Sequence, residues 1–142
     1  MKKEVQIERR IVVYVSNDNF NWLDDLKLLV SGDNKLDKKS RIILVGEGDF
    51  ECGLLGFVNC LRKEPDGELV RGVLIQDKNA LKFSLQDPFY VQQLQKDMTI
   101  NVLRSNRTWG SYRHLRLPRP EANPVPAAYI SQMVHTNIFK AY

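Results

Sequence analysis

The chain has 142 residues, a net charge of +4 and a pI near 9.1, with 43% hydrophobic and 27% charged residues. These proportions are ordinary for a folded domain, the length predicts one domain, and so mild a charge gives little reason to expect a nucleic-acid partner. No run approaches the roughly 18 apolar residues of a membrane span, and Met1–Arg10 lacks the apolar stretch of a secretory signal, so a cytoplasmic location is expected.

Residues 1–9 form a charged leading segment. Ile11, Val12, Val13, Tyr14 and Val15 predict a first strand over Arg10–Val15, and Ser16-Asn17-Asp18-Asn19 is turn chemistry. A helix is expected from about Trp22 to Val30, with Trp22, Leu26, Leu29 and Val30 on one face. Ser31-Gly32-Asp33-Asn34 ends it, and Lys35 to Ser40 reads as a solvated basic linker.

Arg41–Val45 is an apolar run of strand type. The helix after it carries Leu54, Phe57, Val58 and Leu61 at i, i+3, i+4, i+7, and Pro65 and Gly67 stop it. All four apolar residues are expected on the inner face, and truncation of Phe57 is expected to be severe. Gly72–Ile75 is apolar enough to be buried on both faces, as parallel strands are. Lys78–Gln86 is a loop. Asp87-Pro88 then starts a helix as N-cap and N1, with Phe89, Val91 and Leu94 as its apolar residues.

Thr99–Leu103 is a strand, Ser105-Asn106-Arg107 a turn, and Thr108–Leu117 a second strand in hairpin arrangement. A segment containing Pro118, Pro120, Pro124 and Pro126 follows, and Ala127–Ile130 is a candidate last strand. The order predicts an α/β fold: a truncated Rossmann-like sheet flanked by helices, with a C-terminal β-hairpin extension.

The turn between the second strand and the second helix is informative. Gly46-Glu47-Gly48-Asp49-Phe50-Glu51 places Glu51 where a dinucleotide fingerprint has its third glycine. Glu47, Asp49 and Glu51 put three carboxylates where two phosphates would sit. Acids suit a helix N-terminus but repel an anionic ligand from it. Gly48 and Gly53 have P-loop spacing, yet Leu54 and Leu55 replace the Lys and Ser/Thr that would hold phosphate and metal.

Other chemistry is also missing. No Tyr-x-x-x-Lys is present to donate a proton and hold a ribose, and Tyr112 has Arg116 at that spacing. Ser111 directly follows Gly110, which does not make a nucleophile elbow. His114 and His135 are far apart, Asp24 and Asp25 read as solvated, and Cys52 and Cys60 read as small core residues of one helix. These do not make a zinc site. Catalytic, cofactor-binding and metal-ligating residues are therefore expected to be absent. Arg104, Arg107, Arg113, Arg116 and Arg119 interleave with Trp109, Tyr112 and His114. That pattern can bind single strands, but a solvated hairpin face or a protein contact is the simpler reading.

Gly53–Pro65, and within it Asn59-Cys60-Leu61-Arg62-Lys63-Glu64-Pro65, resembles a segment of animal type I fatty-acid synthase. Gln95–Arg104, Trp109–His114 and Phe20–Lys27 resemble other segments of the same region, the pseudo-ketoreductase, in the same order. The resemblance covers roughly residues 10–132. It implies a truncated Rossmann-like subdomain with neither cofactor nor active site, packed against the catalytic ketoreductase of the same synthase. The tail 133–142 departs from the family pattern, and residues 1–142 include no ketoreductase segment. The chain thus reads as a fragment, a truncated product or a remnant, expected to self-associate if isolated. The alternatives are an NADPH-dependent reductase with a degenerate fingerprint and the structural subdomain of a polyketide ketoreductase, with a nucleic-acid-binding module as a third reading.

Overall fold

The computed structural model describes residues 6–31, 36–48 and 53–112. Five strands form one sheet in the order β1-β2-β3-β4-β5, with β1 Arg9–Val15, β2 Ser40–Glu47, β3 Val70–Ile75, β4 Ile100–Arg104 and β5 Thr108–Gly110. The first four run parallel, and β5 returns antiparallel to β4. Three helices connect them: α1 Asn21–Ser31, α2 Gly53–Leu61 and α3 Pro88–Gln95. This is an α/β, Rossmann-like arrangement ending in a short hairpin, as the alternation of elements predicts.

Every residue of β3, and every residue of β2 before Glu47, is buried. The even-numbered β2 residues Ile42 and Leu44 join Leu26 of α1 and Leu54 and Val58 of α2 in one core. The odd-numbered Ile43 and Val45 join Tyr90 and Leu94 of α3 in a second core on the other face. The period of two splits one apolar run between two cores, which is why β2 and β3 show no polar alternation.

The two cores define an unusual topology. β1 to β4 lie side by side in chain order, so each crossover steps the same way across the sheet. α1 and α2 pack on one face and α3 on the other. The β3–α3–β4 unit therefore has the opposite hand to the two units before it. Roughly 98% of such crossovers share the right-handed sense, so this sheet contains at least one of the rare hand.

Local chemistry explains the helix boundaries. Asp87 accepts a hydrogen bond from the Phe89 N–H at 2.9 Å with Pro88 at the first turn of α3, as Asp-Pro predicts. α1 is held to β1 by Trp22, whose indole N–H donates to the Ser16 carbonyl at 3.1 Å. A Cβ on Gly67 would lie 1.6 Å from the Leu61 carbonyl oxygen, so only glycine allows the turn after α2 to fold back on the helix end.

Several expectations need correction. Of the four apolar residues of α2, Leu54 and Val58 are buried, while Phe57 and Leu61 are only partly buried at its flank. Phe57 and the Trp22 ring form a T-shaped pair with centroids 5.6 Å apart, so Phe57 joins α2 to α1. Phe57→Ala should accordingly cost roughly 1–2 kcal/mol, below the 3–5 typical of a fully buried ring. A larger loss in urea denaturation would place Phe57 in the core. Cys60 is exposed, because its position in α2 faces away from the sheet, and Cys52 lies outside the described residues. Ser40 starts β2 and is buried, its hydroxyl donating to Asp37 at 2.7 Å. The loop 78–86 is also more than a connector, since Phe83 is buried in the second core. The expected strand Ala127–Ile130, the far part of the hairpin and His135 lie outside the described residues.

Candidate functional site at the carboxyl ends of the strands

In open α/β sheets, ligands bind beyond the carboxyl ends of the strands, where adjacent connections leave toward opposite faces. Strand order normally reverses at that point. Here the order does not reverse, but the change of hand has the same local effect. The connection after β2 leads to α2 on one face, and the connection after β3 leads to α3 on the other.

A crevice of about 280 Å³ opens between those two connections. Glu47 and Gly48 line one side, and Gln76, Asp77, Lys78 and Lys82 the other. This volume falls just below the range of about 300–1,000 Å³ usual for small-ligand pockets. Gly48 adopts φ +103° and donates its N–H to the Ile75 carbonyl at 2.9 Å, which ties the turn back onto β3. Asp77 is buried, and its carboxylate accepts the Asn79 N–H at 2.9 Å. Of the three carboxylates expected to replace phosphates, Glu47 lines this crevice, whereas Asp49 and Glu51 lie outside the described residues.

A glycine in a dinucleotide turn also allows close helix-to-strand packing. Gly53 and Gly56 do not perform that role, since a Cβ on either would meet nothing within 4 Å. Gly72 does so from the strand side. A Cβ there would come within 2.9 Å of Ile100 Cδ1 and 3.2 Å of Val58 Cγ2. The close approach of α2 to the sheet thus no longer depends on its N-terminal turn.

Tyr90 is a buried tyrosine whose phenol is influenced by crevice carboxylates. Its hydroxyl donates to the Leu81 carbonyl. Burial pushes its pKa up, and the charges of Glu47, Asp87 and Asp77 push it further. A proton-donating tyrosine in a reductase is served by a neighbouring cation, which shifts the phenol the other way. The environment of Tyr90 therefore suits packing rather than proton transfer.

At the opposite end of the sheet lies a cluster that the sequence reading did not find. Asp97, at φ 50° just after α3, accepts paired hydrogen bonds from two arginines. Arg41 Nε and Nη2 reach its two carboxylate oxygens at 2.8 Å each. Arg71 Nε and Nη2 reach them at 2.9 and 3.0 Å. Both guanidiniums are buried, and each also donates to main-chain carbonyls, Arg41 to Lys38 and Ser40 and Arg71 to Glu68 and Val70. Burial lowers the pKa of Arg71, opposed by its bonds to Asp97. The cluster pins the turn between α3 and β4 to β2 and β3, which fixes the reversed crossover. Two arginines opening apolar strands were the available signal.

Burial pushes the Asp97 carboxyl up, but the hydrogen bonds and charges of Arg41 and Arg71 outweigh it and hold the pKa at about 2, below the ordinary 3.8. A depressed carboxylate stabilises the fold above its unfolded pKa. That contribution disappears as pH falls through the folded pKa. Urea midpoints should therefore show a loss on the order of 2 kcal/mol between about pH 4 and pH 2 that is missing in Asp97→Ala. Parallel profiles for the two proteins would contradict the assignment.

The arginine-rich hairpin also resolves in part. Trp109 is half-buried in the second core, with its ring 5.4 Å from Phe89 and 5.9 Å from Tyr90. Arg107 lies 4.3 Å over the Phe89 ring, and Tyr112 packs on the first core. These aromatic groups serve the interior rather than forming a stacking platform. Arg113, His114, Arg116 and Arg119 lie outside the described residues. Asp24 and Asp25 are exposed, as expected. Among the described residues, no group of three His, Cys, Asp or Glu could hold a metal, and no helix is long and apolar enough to cross a membrane.

The sheet, its flanking helices and the terminal hairpin define a Rossmann-like α/β fold. The family model for the fatty acid synthase pseudo-KR domain matches residues 19–117. The chain belongs to that family of fatty acid synthase structural subdomains. The match begins after β1, which nevertheless pairs with β2 along its whole length.

Proposed function

We propose that this chain acts as a non-catalytic scaffold subdomain of a fatty-acid synthase, packs against the catalytic ketoreductase domain and binds no nicotinamide cofactor. The family supports the scaffold role. The crevice carries the cofactor part of the reading: Glu47 sits at its mouth, Asp77 is buried in its wall, and its volume is about 280 Å³. Glu47 and Asp77 offset Lys78 and Lys82 in the lining, so the crevice offers the phosphates of a dinucleotide no net positive charge, in a volume just below the usual small-ligand range. A cytoplasmic location belongs to the same proposal.

Calorimetric titration with NADPH and NADH is the direct test. No saturable heat is expected with either cofactor. A micromolar dissociation constant that depends on the cofactor phosphates would overturn the reading and favour a reductase with a degenerate fingerprint.

A further inference from the structure

Among the described residues, the outer edge of β1 is the longer of the two free edges of the sheet: β1 spans seven residues and β5 three. Natural edge strands are blunted by lysine, proline, bulges or brevity. β1 has no proline or lysine, and its register with β2 runs from Arg9 to Val15 without a skipped residue. Its charges are confined to Arg9 and Arg10, and Ile11–Val15 carries none. Ile11 and Val12 are partly exposed, and Tyr14 is 50% exposed.

We propose that this edge pairs with the same edge of a second copy, antiparallel about a two-fold axis at Val12. A second copy fits because the strand is self-complementary in charge in the antiparallel sense. Side-by-side pairing in the parallel sense would set Arg9 and Arg10 against their own copies. Antiparallel pairing about Val12 sets Arg10 opposite Tyr14 of the second copy, Arg9 opposite Val15 and Ile11 opposite Val13, with no like charges opposed. Arg10, Val12 and Tyr14 share one face by the two-residue period. Guanidinium against phenol ring is a favourable cross-strand contact, and the symmetry makes it twice. Two-fold pairing uses both β1 edges and closes, so the product is a dimer rather than a fibre. The test below uses this chain alone, so its failure is distinguishable from failure of the scaffold reading.

Sedimentation of the 142-residue chain at micromolar concentration should give the mass of a dimer. Tyr14→Lys places a lysine opposite Arg10 on both sides of the axis and should weaken association roughly tenfold or more. Adding Arg10→Glu restores opposite charges and should restore the dimer. A monomeric parent chain would overturn the proposal, whether a segment of its own chain covers the edge or nothing does. A dimer insensitive to Tyr14→Lys, or not recovered in the double variant, would also overturn it. Val12→Cys in a Cys52→Ser/Cys60→Ser background gives a second readout if the lysine variant misfolds. Cross-strand Cβ atoms about 4.5–5.5 Å apart lie near disulfide reach, so oxidation should yield a covalent dimer, and a chain that stays uncrosslinked would contradict the pairing.

Discussion

Tyr90→Ala should reduce folding stability by about 3–5 kcal/mol, the usual cost of truncating a buried aromatic ring. Tyr90 is 1% exposed and meets the rings of Phe83, Phe89 and Trp109, with centroids 5.0, 5.4 and 5.9 Å away. It therefore joins the loop after β3, α3 and the hairpin strand β5 into one core. No other helix lies on that face among the described residues, so the cavity would open where little can collapse to fill it. The loss is a large share of the roughly 5–15 kcal/mol that holds a typical domain together. Tyr90→Phe keeps the ring and removes only the hydroxyl bond to Leu81, so it should cost about 1 kcal/mol. Urea denaturation of the two variants separates packing from hydrogen bonding. Equal losses would show that the hydroxyl dominates.

Asp97→Ala should cost about 3 kcal/mol, because it leaves the buried guanidiniums of Arg41 and Arg71 facing one another without an anion. Breaking a buried pair from one side commonly costs 3–5 kcal/mol. The lower part of that range applies because the Asp97 side chain keeps 32% of its surface exposed. Part of the alanine effect is conformational, since Asp97 sits at φ 50°. Asp97→Asn tolerates that backbone better and isolates the charge. Its loss should be smaller but should still exceed 1 kcal/mol. Replacing all three charged residues with apolar ones of similar volume should recover much of the loss. If denaturation shows Asp97→Ala within a few tenths of the parent, the cluster does not hold the crossover.

The sheet elements were legible because local chemistry and tertiary packing agree on them. Ile42–Val45 and Val73–Ile75 are apolar on both faces, and both faces are covered. Asp87-Pro88 announces the start of α3, and that start is where the cap hydrogen bond forms. What stayed hidden depends on residues far apart in sequence. Arg41, Arg71 and Asp97 meet only after three strands have been placed. Tyr90 becomes the centre of a core only because α3 crosses to the second face, and nothing in Pro88–Gln95 states the hand of a crossover. The misplacement of Phe57 and Cys60 has a simpler origin. An i, i+3, i+4, i+7 stripe gives the direction of burial, not its depth, and a nine-residue helix against one sheet buries only its centre line. At the candidate site, glycine spacing and acidic residues showed that the turn departs from a phosphate fingerprint. The crevice itself arises from the change of hand and could not be read from Gly46–Gly53.

Co-expression with the ketoreductase domain of the matching synthase, followed by sedimentation of the purified material, tests the scaffold role most directly. A stable complex with one copy of this chain for each ketoreductase domain is the expected result. Two proteins that sediment separately, with this chain unaffected by the ketoreductase, would contradict it.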